Sequence, residues 1–175
     1  MEFCVRPPAP DELAQIGMVY DQAAAFQKAN GIVQWEPGVY PTVKVARDAL
    51  SRGILYGFYV DGTLAGTYIL DPVQGELYDR VAWGYPGAPL TVHALAVDQA
   101  YQGQGIASLA MEWAEAIARR EGKDVMRVDT NSDNRFAQAL FLRCGYRFVC
   151  SLTFPHRPAA HQTYYCYEKR LEKQP

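Results

Sequence analysis

The sequence predicts an α/β (α+β) chain built on a mixed central sheet flanked by helices. Two observations carry that expectation. Apolar residues recur at helical spacing in four stretches, and seven short stretches are apolar-alternating or rich in aromatic and β-branched residues, in the order β α α β β β α β α β β. The length, 175 residues, suits a single domain over 1–175 with one sizeable core.

Each element has its own signal. "FCVRP" is a short first strand ended by prolines, and the helix that follows carries Leu13, Ile16, Val19, Tyr20, Ala23 and Phe26 on one face before Gly31. "GIVQWEPGVYPT" is an irregular connection, after which a second helix is expected from a Thr42 cap to Arg52. "ILYGFYV" and "TLAGTYIL" flank an Asp-Gly pair, a strong hairpin signal. The Pro- and Gly-rich "DPVQGELYDRVAWGYPGAP" lacks periodicity, and a connection of that length is usually functional or poorly ordered. "LTVHALAV" alternates as a strand, and the next helix has Ile106, Leu109, Ala110, Trp113, Ile117 and Ala118 on one face. "DVMRVDT", "NRFAQALFLRC", "GYRFVCSLTF" and "QTYYCYEKRL" complete the order as strand, helix, strand and strand.

Composition removes several function classes. With 49% hydrophobic and 21% charged residues the chain reads as soluble and globular. A net charge of -2 and a pI near 5.9 lack the basic footprint of a nucleic-acid binder. No window approaches the roughly 20 apolar residues of a membrane span, and "MEFCVRPPAPDEL" lacks a secretory pattern, so a cytoplasmic location is expected. Cys4, Cys144, Cys150 and Cys166 show no metal-ligand spacing and suit reduced thiols; no metal is expected.

The segment with chemistry is "QGQGIA", at a strand-to-helix turn. Gly103 and Gly105 remove β-carbons that would keep an anion away, and the free N–H groups of the helix's first turn point outward there. The lysine of a P-loop is missing, and a dinucleotide motif would follow the first strand instead of the fourth. A glycine-rich turn before a core helix is the other reading of these residues alone.

"ALAVDQAYQGQGIASLAMEWAEAIARR" resembles the core motif of the GCN5-related N-acetyltransferase (GNAT) superfamily, whose R/Q-x-x-G-x-G/A loop binds the pyrophosphate of acetyl-CoA. "VDTNSDNRFAQALFLRCGYRFV" is similar to its next block, and the element order matches nearly the whole chain. "NGIVQW" followed by "YP", with the "RVDT" strand, resembles a small bacterial subgroup. The likeness implies the acyl-CoA N-acyltransferase fold, with a mostly antiparallel mixed sheet, and an enzyme that transfers an acetyl group from acetyl-CoA to a primary amine of a small molecule. By the same likeness, the main chain of Leu95, Ala96 and Val97 pairs with the pantetheine arm. Gln102, Gly103, Gln104, Gly105, Ile106, Ala107 and Ser108 hold the pyrophosphate, and Asn134 reaches the pantetheine side. Arg119, Arg120 and Lys123 are expected to assist at the nucleotide phosphate. Homodimers are common in the superfamily, so a homodimer is expected by analogy.

Acetyl transfer needs a neutral amine, and an alkylammonium of pKa ~10.4 is neutral only to about one part in a few thousand at pH 7. His93, two residues before Leu95, is the candidate base, and strand alternation puts it on the same face as Leu95 and Val97. "HALAV" resembles the arylalkylamine acetyltransferase strand in which a histidine relays the substrate's proton. A histidine satisfied by a neighbouring carbonyl is the alternative. The superfamily's usual acid, a tyrosine seven residues after the motif asparagine, is here Phe141, which joins the expected cofactor-contacting set without a proton to give. Tyr146 is the substitute candidate acid. Trp35, Tyr40, Trp83, Tyr85 and Phe154 are expected to line the acceptor pocket, with Glu36 and Asp79 attracting a cationic amine. Two rival functions stand beside direct transfer in a ternary complex: an acyl-CoA-binding sensor with weak or no catalysis, suggested by Phe141, and acetylation of protein or peptide amines.

Overall fold

The structure, a computed structural model, describes residues 1–155, 157 and 159–172. Seven strands form one sheet in the order β1-β2-β3-β4-β5-β7-β6, where β1 is Phe3–Arg6, β2 Leu55–Val60, β3 Thr63–Asp71, β4 Pro89–Val97, β5 Val125–Asn131, β6 Arg147–Thr153 and β7 Thr163–Arg170. Only β4 and β5 run parallel; the other neighbours are antiparallel. The helices are α1 (Leu13–Ala29), α2 (Val43–Ser51), α3 (Ile106–Arg120) and α4 (Arg135–Arg143). Among the described residues, no helix is long and apolar enough to cross a membrane.

Two cores occupy the two faces of the sheet. On one, Leu13, Ile16, Val19 and Tyr20 of α1 and Ala46 and Ala49 of α2 pack on Leu55, Tyr59, Leu64, Ile69, Ala94 and Ala96. On the other, Ile106, Ala110, Met111 and Ala114 of α3 and Leu140 and Phe141 of α4 pack on Phe58, Tyr68, Leu90, Val92, Met126, Val128 and Tyr167. This is the burial expected when amphipathic helices cover both faces of a mixed, mostly antiparallel sheet. Thr42 occupies the position before α2, yet its hydroxyl makes no capping hydrogen bond.

The long connection 72–88 is held down. A 3-10 turn, Glu76–Arg80, presents Tyr78, and Trp83 Nε1 donates to the Tyr78 carbonyl oxygen at 3.1 Å. Further on, the Gly84 and Tyr85 amides donate to Glu168 at 2.9 and 3.2 Å, and the Ala88 amide donates to Asp124 at 3.0 Å. The connection therefore covers the β5-β7-β6 half of the face that α1 and α2 leave open.

Candidate active site

The β4 strand changes its course in mid-length. Ile69 pairs with His93, whereas Thr67, two residues back, pairs with Ala96, so β4 holds one extra residue. Ala94 takes it up at φ 49°, a left-handed conformation that costs a non-glycine residue about 1 to 2 kcal/mol. The strand then inverts its alternation. His93 lies opposite Ile69 on the α1/α2 face, while Leu95 and Val97 pack against the α3/α4 core. The expectation that His93 shares a face with Leu95 and Val97 is corrected by this bulge.

Beside the bulge, β4 and β5 part. Their pairing ends at Val92↔Val128, although β4 continues to Val97 and β5 to Asn131. On its other side β4 stays paired to β3 as far as Val97. The Leu95–Val97 main chain is thus turned toward an opening in the sheet, where an extended amide-bearing ligand finds matching donors and acceptors.

At the end of β4 the glycine turn delivers α3. Gly103 and Gly105 have φ 74° and 79°, and a β-carbon added at either would meet nothing within 4 Å. Gly105 sits at the N-cap with no side-chain cap, so the helix presents its first-turn amides to that open space. Gln102 Nε2 folds back toward the Val97 carbonyl oxygen at 3.5 Å, and Gln104 Nε2 donates to the Ala100 carbonyl oxygen at 2.8 Å. Ile106 is buried in the core, whereas Ala107 and Ser108 lie half-buried in the first turn. Arg143, at the last turn of α4, brings its Nε to 3.4 Å from Ser108 Oγ, placing a cation at the rim. Spacing along the sequence gives no sign of Arg143. Arg119, Arg120 and Lys123 sit at or beyond the other end of α3, about 20 Å from its first turn at 1.5 Å per residue.

Asn134 is 7% exposed and engaged at both ends. Its Oδ1 accepts from the Ala137 amide at 3.1 Å as the cap of α4, and its Nδ2 donates to Gln34 Oε1 at 2.8 Å. Thr130 Oγ1 donates to the same Gln34 oxygen at 2.9 Å. Gln34, inside "NGIVQW", thereby ties the α1–α2 connection to the far end of β5.

The acid candidates separate from the base. Tyr146 is 2% exposed and packs against Phe141, ring centroids 6.1 Å apart, in the core under α3 and α4. Burial pushes its hydroxyl well above the ordinary tyrosine range. It occupies the sheet face opposite His93, so the structure does not bring this pair together.

The five aromatics divide. Trp35 stacks edge-on to Tyr20 at 6.3 Å and packs against the α1/α2 core. Arg127 lies 4.2 Å over the Trp83 ring and Arg147 lies 4.1 Å over Tyr85, which makes both rings covers for the sheet. Phe154 instead faces Tyr78 and Tyr164 at 6.2 and 5.0 Å, and Tyr40 is near enough to feel the charges of Asp129 and Arg157. Glu36 bridges backbone to backbone with Tyr40, and Asp79 is exposed on the 3-10 turn. One carboxylate on the His93 face is Asp129, whose Oδ2 accepts from the Tyr78 hydroxyl at 2.8 Å. Burial raises its pKa, against the opposing pull of His93, Tyr78 and Arg157. One signal for it was present: a strand parallel to its neighbour is usually apolar on both faces, and Arg127 and Asp129 interrupt that pattern.

Comparison with known proteins bears on the whole arrangement. The curated Bacillus subtilis (strain 168) protein YesJ, described as an uncharacterized N-acetyltransferase, is 30% identical over 103 residues, which cover 58% of this chain. The chain spans 57% of the length of that relative. A solved acetyltransferase of the GNAT family from Streptococcus agalactiae 2603 superposes with a TM-score of 0.85 at 23% identity, covering 98% of this chain and 96% of that one. The Salmonella typhimurium acetyltransferase yncA, solved with its cofactor acetyl-CoA, superposes with a TM-score of 0.69 at 16% identity over 98% of this chain and 95% of that one. The model of the acetyltransferase (GNAT) family matches residues 20–146, a span that holds the β4 bulge, the glycine turn and the α4 cap, and the chain belongs to that family.

Proposed function

We propose that the chain is an acetyl-CoA-dependent N-acetyltransferase that acetylates a primary amine of a small molecule by direct transfer in a ternary complex. One observation carries the proposal: His93 stands where β4 leaves β5, one residue before the kink that turns the Leu95–Val97 main chain to the open side. Membership of the family and the acetyl-CoA held by the Salmonella relative support the choice of cofactor.

The residues present fit that cofactor. The open space at Gly103 and Gly105, the uncapped first turn of α3 and the Arg143 guanidinium suit a pyrophosphate. The Leu95–Val97 main chain suits the two amides of pantetheine. When bound, acetyl-CoA supplies an activated thioester carbonyl. His93 takes the proton that the attacking amine must lose, and the amides of the bulged strand are the donors nearest a developing oxyanion. Phe141 has no proton to give and Tyr146 is buried on the other face, so protonation of the departing sulfur is left to water, a thiol of pKa ~8.5 needing little help.

A thermal-shift titration with acetyl-CoA tests the reading first. At 100 times Kd a ligand bound only by the folded state adds about 2.7 kcal/mol, which for a chain of this size is roughly 5 to 11 °C. The expected sequel is release of free CoA thiol with a member of a small-amine panel. A shift without turnover on amines or peptides gives the sensor reading, acetylated peptide alone gives the protein-directed one, and no shift removes the cofactor assignment.

A further inference from the structure

The β6–β7 ladder changes register once, and the change brings two thiols together. Arg147 and Phe148 pair with Glu168 and Tyr167, after which the register shifts by one residue and Cys150 comes to lie opposite Cys166. Without the shift Cys150 would face Tyr165, and the two cysteines would sit on opposite faces of the sheet. Directly opposed residues of an antiparallel pair share a face, with Cα atoms about 4.5 to 5.5 Å apart. That lies inside the range of about 4.4 to 6.8 Å that a disulfide spans. Both are free thiols: Cys166 is fully buried, while Cys150 is half-buried on β6, an edge strand paired on one side only. Burial pushes the Cys166 thiol above its ordinary range, and the charge of Asp129 and the proximity of Cys150 add to the rise. Cys4, opposite Tyr59 on β1, and Cys144, at the end of α4, have no such partner.

We propose that Cys150 and Cys166 form an oxidation site, a dithiol that a low-molecular-weight disulfide closes into a cross-strand bridge. The Cys150 thiolate attacks one sulfur of the oxidant, whose S–S bond breaks and releases one thiol, leaving Cys150 in a mixed disulfide. Cys166 then loses its proton to solvent and its thiolate attacks the Cys150 sulfur, releasing the second thiol. The protein gives up two electrons and two protons, and one oxidant disulfide becomes two thiols. Exposure sets the order, because Cys150 is open to a reagent and Cys166 is not. The bridge fastens an edge strand that is otherwise free to fray, two residues from Tyr164 and four from Phe154, whose rings stand 5.0 Å apart at the end of the hairpin. The site is independent of acetyl transfer and stands whether or not the chain acetylates an amine.

The test uses the full chain carrying Cys4→Ser and Cys144→Ser, which leaves this pair as its only thiols. It is incubated folded with oxidised glutathione and read by intact mass and by the thiol count after unfolding. The expected product is a monomer with no free thiol and no glutathione attached, and its β6 amides exchange with solvent more slowly than those of the reduced chain. Adding Cys166→Ser to that background should stop the reaction at one glutathione on Cys150, and adding Cys150→Ser should leave the Cys166 thiol unreacted. A glutathione adduct that persists on the two-thiol chain overturns the proposal, as does a bridge between two chains or a pair of thiols that never reacts. Capture of glutathione by Cys166 in the Cys150→Ser chain overturns the order of attack.

Discussion

Glu168, fully buried on β7, holds Arg147 of β6 at 2.5 Å although half of the Arg147 side chain faces solvent. The carboxylate also accepts the Gly84 and Tyr85 amides, so a single buried charge fastens the connection 72–88 to the sheet. Gly84 leaves room for this arrangement, since a β-carbon there would displace the Arg147 guanidinium from its place on Glu168.

Glu168→Leu is therefore expected to strand two backbone donors and to cost about 2 to 6 kcal/mol, at about 1 to 3 per unsatisfied group. Chemical denaturation reads the loss, and hydrogen exchange should show the Gly84 and Tyr85 amides losing protection first. Unchanged protection at those two amides would show that the connection is held by other contacts.

Gly105→Ala separates backbone strain from ligand space. A left-handed alanine costs about 1 to 2 kcal/mol whatever surrounds it. Gly62→Ala, in the β2–β3 hairpin turn at φ 78°, carries the same strain away from the site and is the control. Both are expected to lower the melting midpoint, while acetyl-CoA affinity falls about tenfold or more only in Gly105→Ala, one lost 1.4 kcal/mol interaction being tenfold. Equal affinities in the two variants would move the cofactor off the glycine turn.

His93→Ala is expected to lower kcat by roughly 10² or more and to leave acetyl-CoA binding unchanged. Tyr146→Phe removes a hydroxyl buried on the opposite face and is expected to leave kcat and its pH limbs where they were. A loss of rate in Tyr146→Phe comparable to that in His93→Ala would restore Tyr146 as the acid.

Acid stability should depend on Glu12. Its carboxylate accepts two hydrogen bonds from Arg6 at 2.8 and 3.0 Å, one from the Ala9 amide at 2.6 Å and one from the Tyr59 hydroxyl at 3.0 Å. The Arg6 bonds lead in holding its pKa below the ordinary carboxylate range. A depressed folded-state pKa contributes stability that is complete above the unfolded value, about 4.3, and is lost as the pH falls through the lower folded value. The gap in urea midpoint between the native chain and Glu12→Gln should hold from pH 7 to about 5 and close in stronger acid. A gap constant down to pH 3 would place the stabilisation elsewhere.

Local pattern was enough for the elements. The strands and helices follow from periodicities of 2 and 3.6, and the glycine turn announced itself because left-handed backbone and close approach of a ligand both favour glycine. Bulges are harder to read. Ala94 takes a left-handed φ without being a glycine, so "HALAV" looks like uninterrupted alternation, and alternation alone puts His93 on the wrong face for that reason.

By itself the sequence determined the order of elements, the apolar faces and the position of the glycine turn at the start of α3, all properties of residues close together along the chain. Only the tertiary structure decided which residues keep His93 company. Its neighbour Asp129 arrives through the parallel crossover from β4 to β5, Tyr78 is brought over by a connection anchored 84 residues away at Glu168, and the basic residues ending α3 are carried off by the length of the helix. Strand register and loop docking are set by the summed packing of distant segments, and no local spacing encodes that sum.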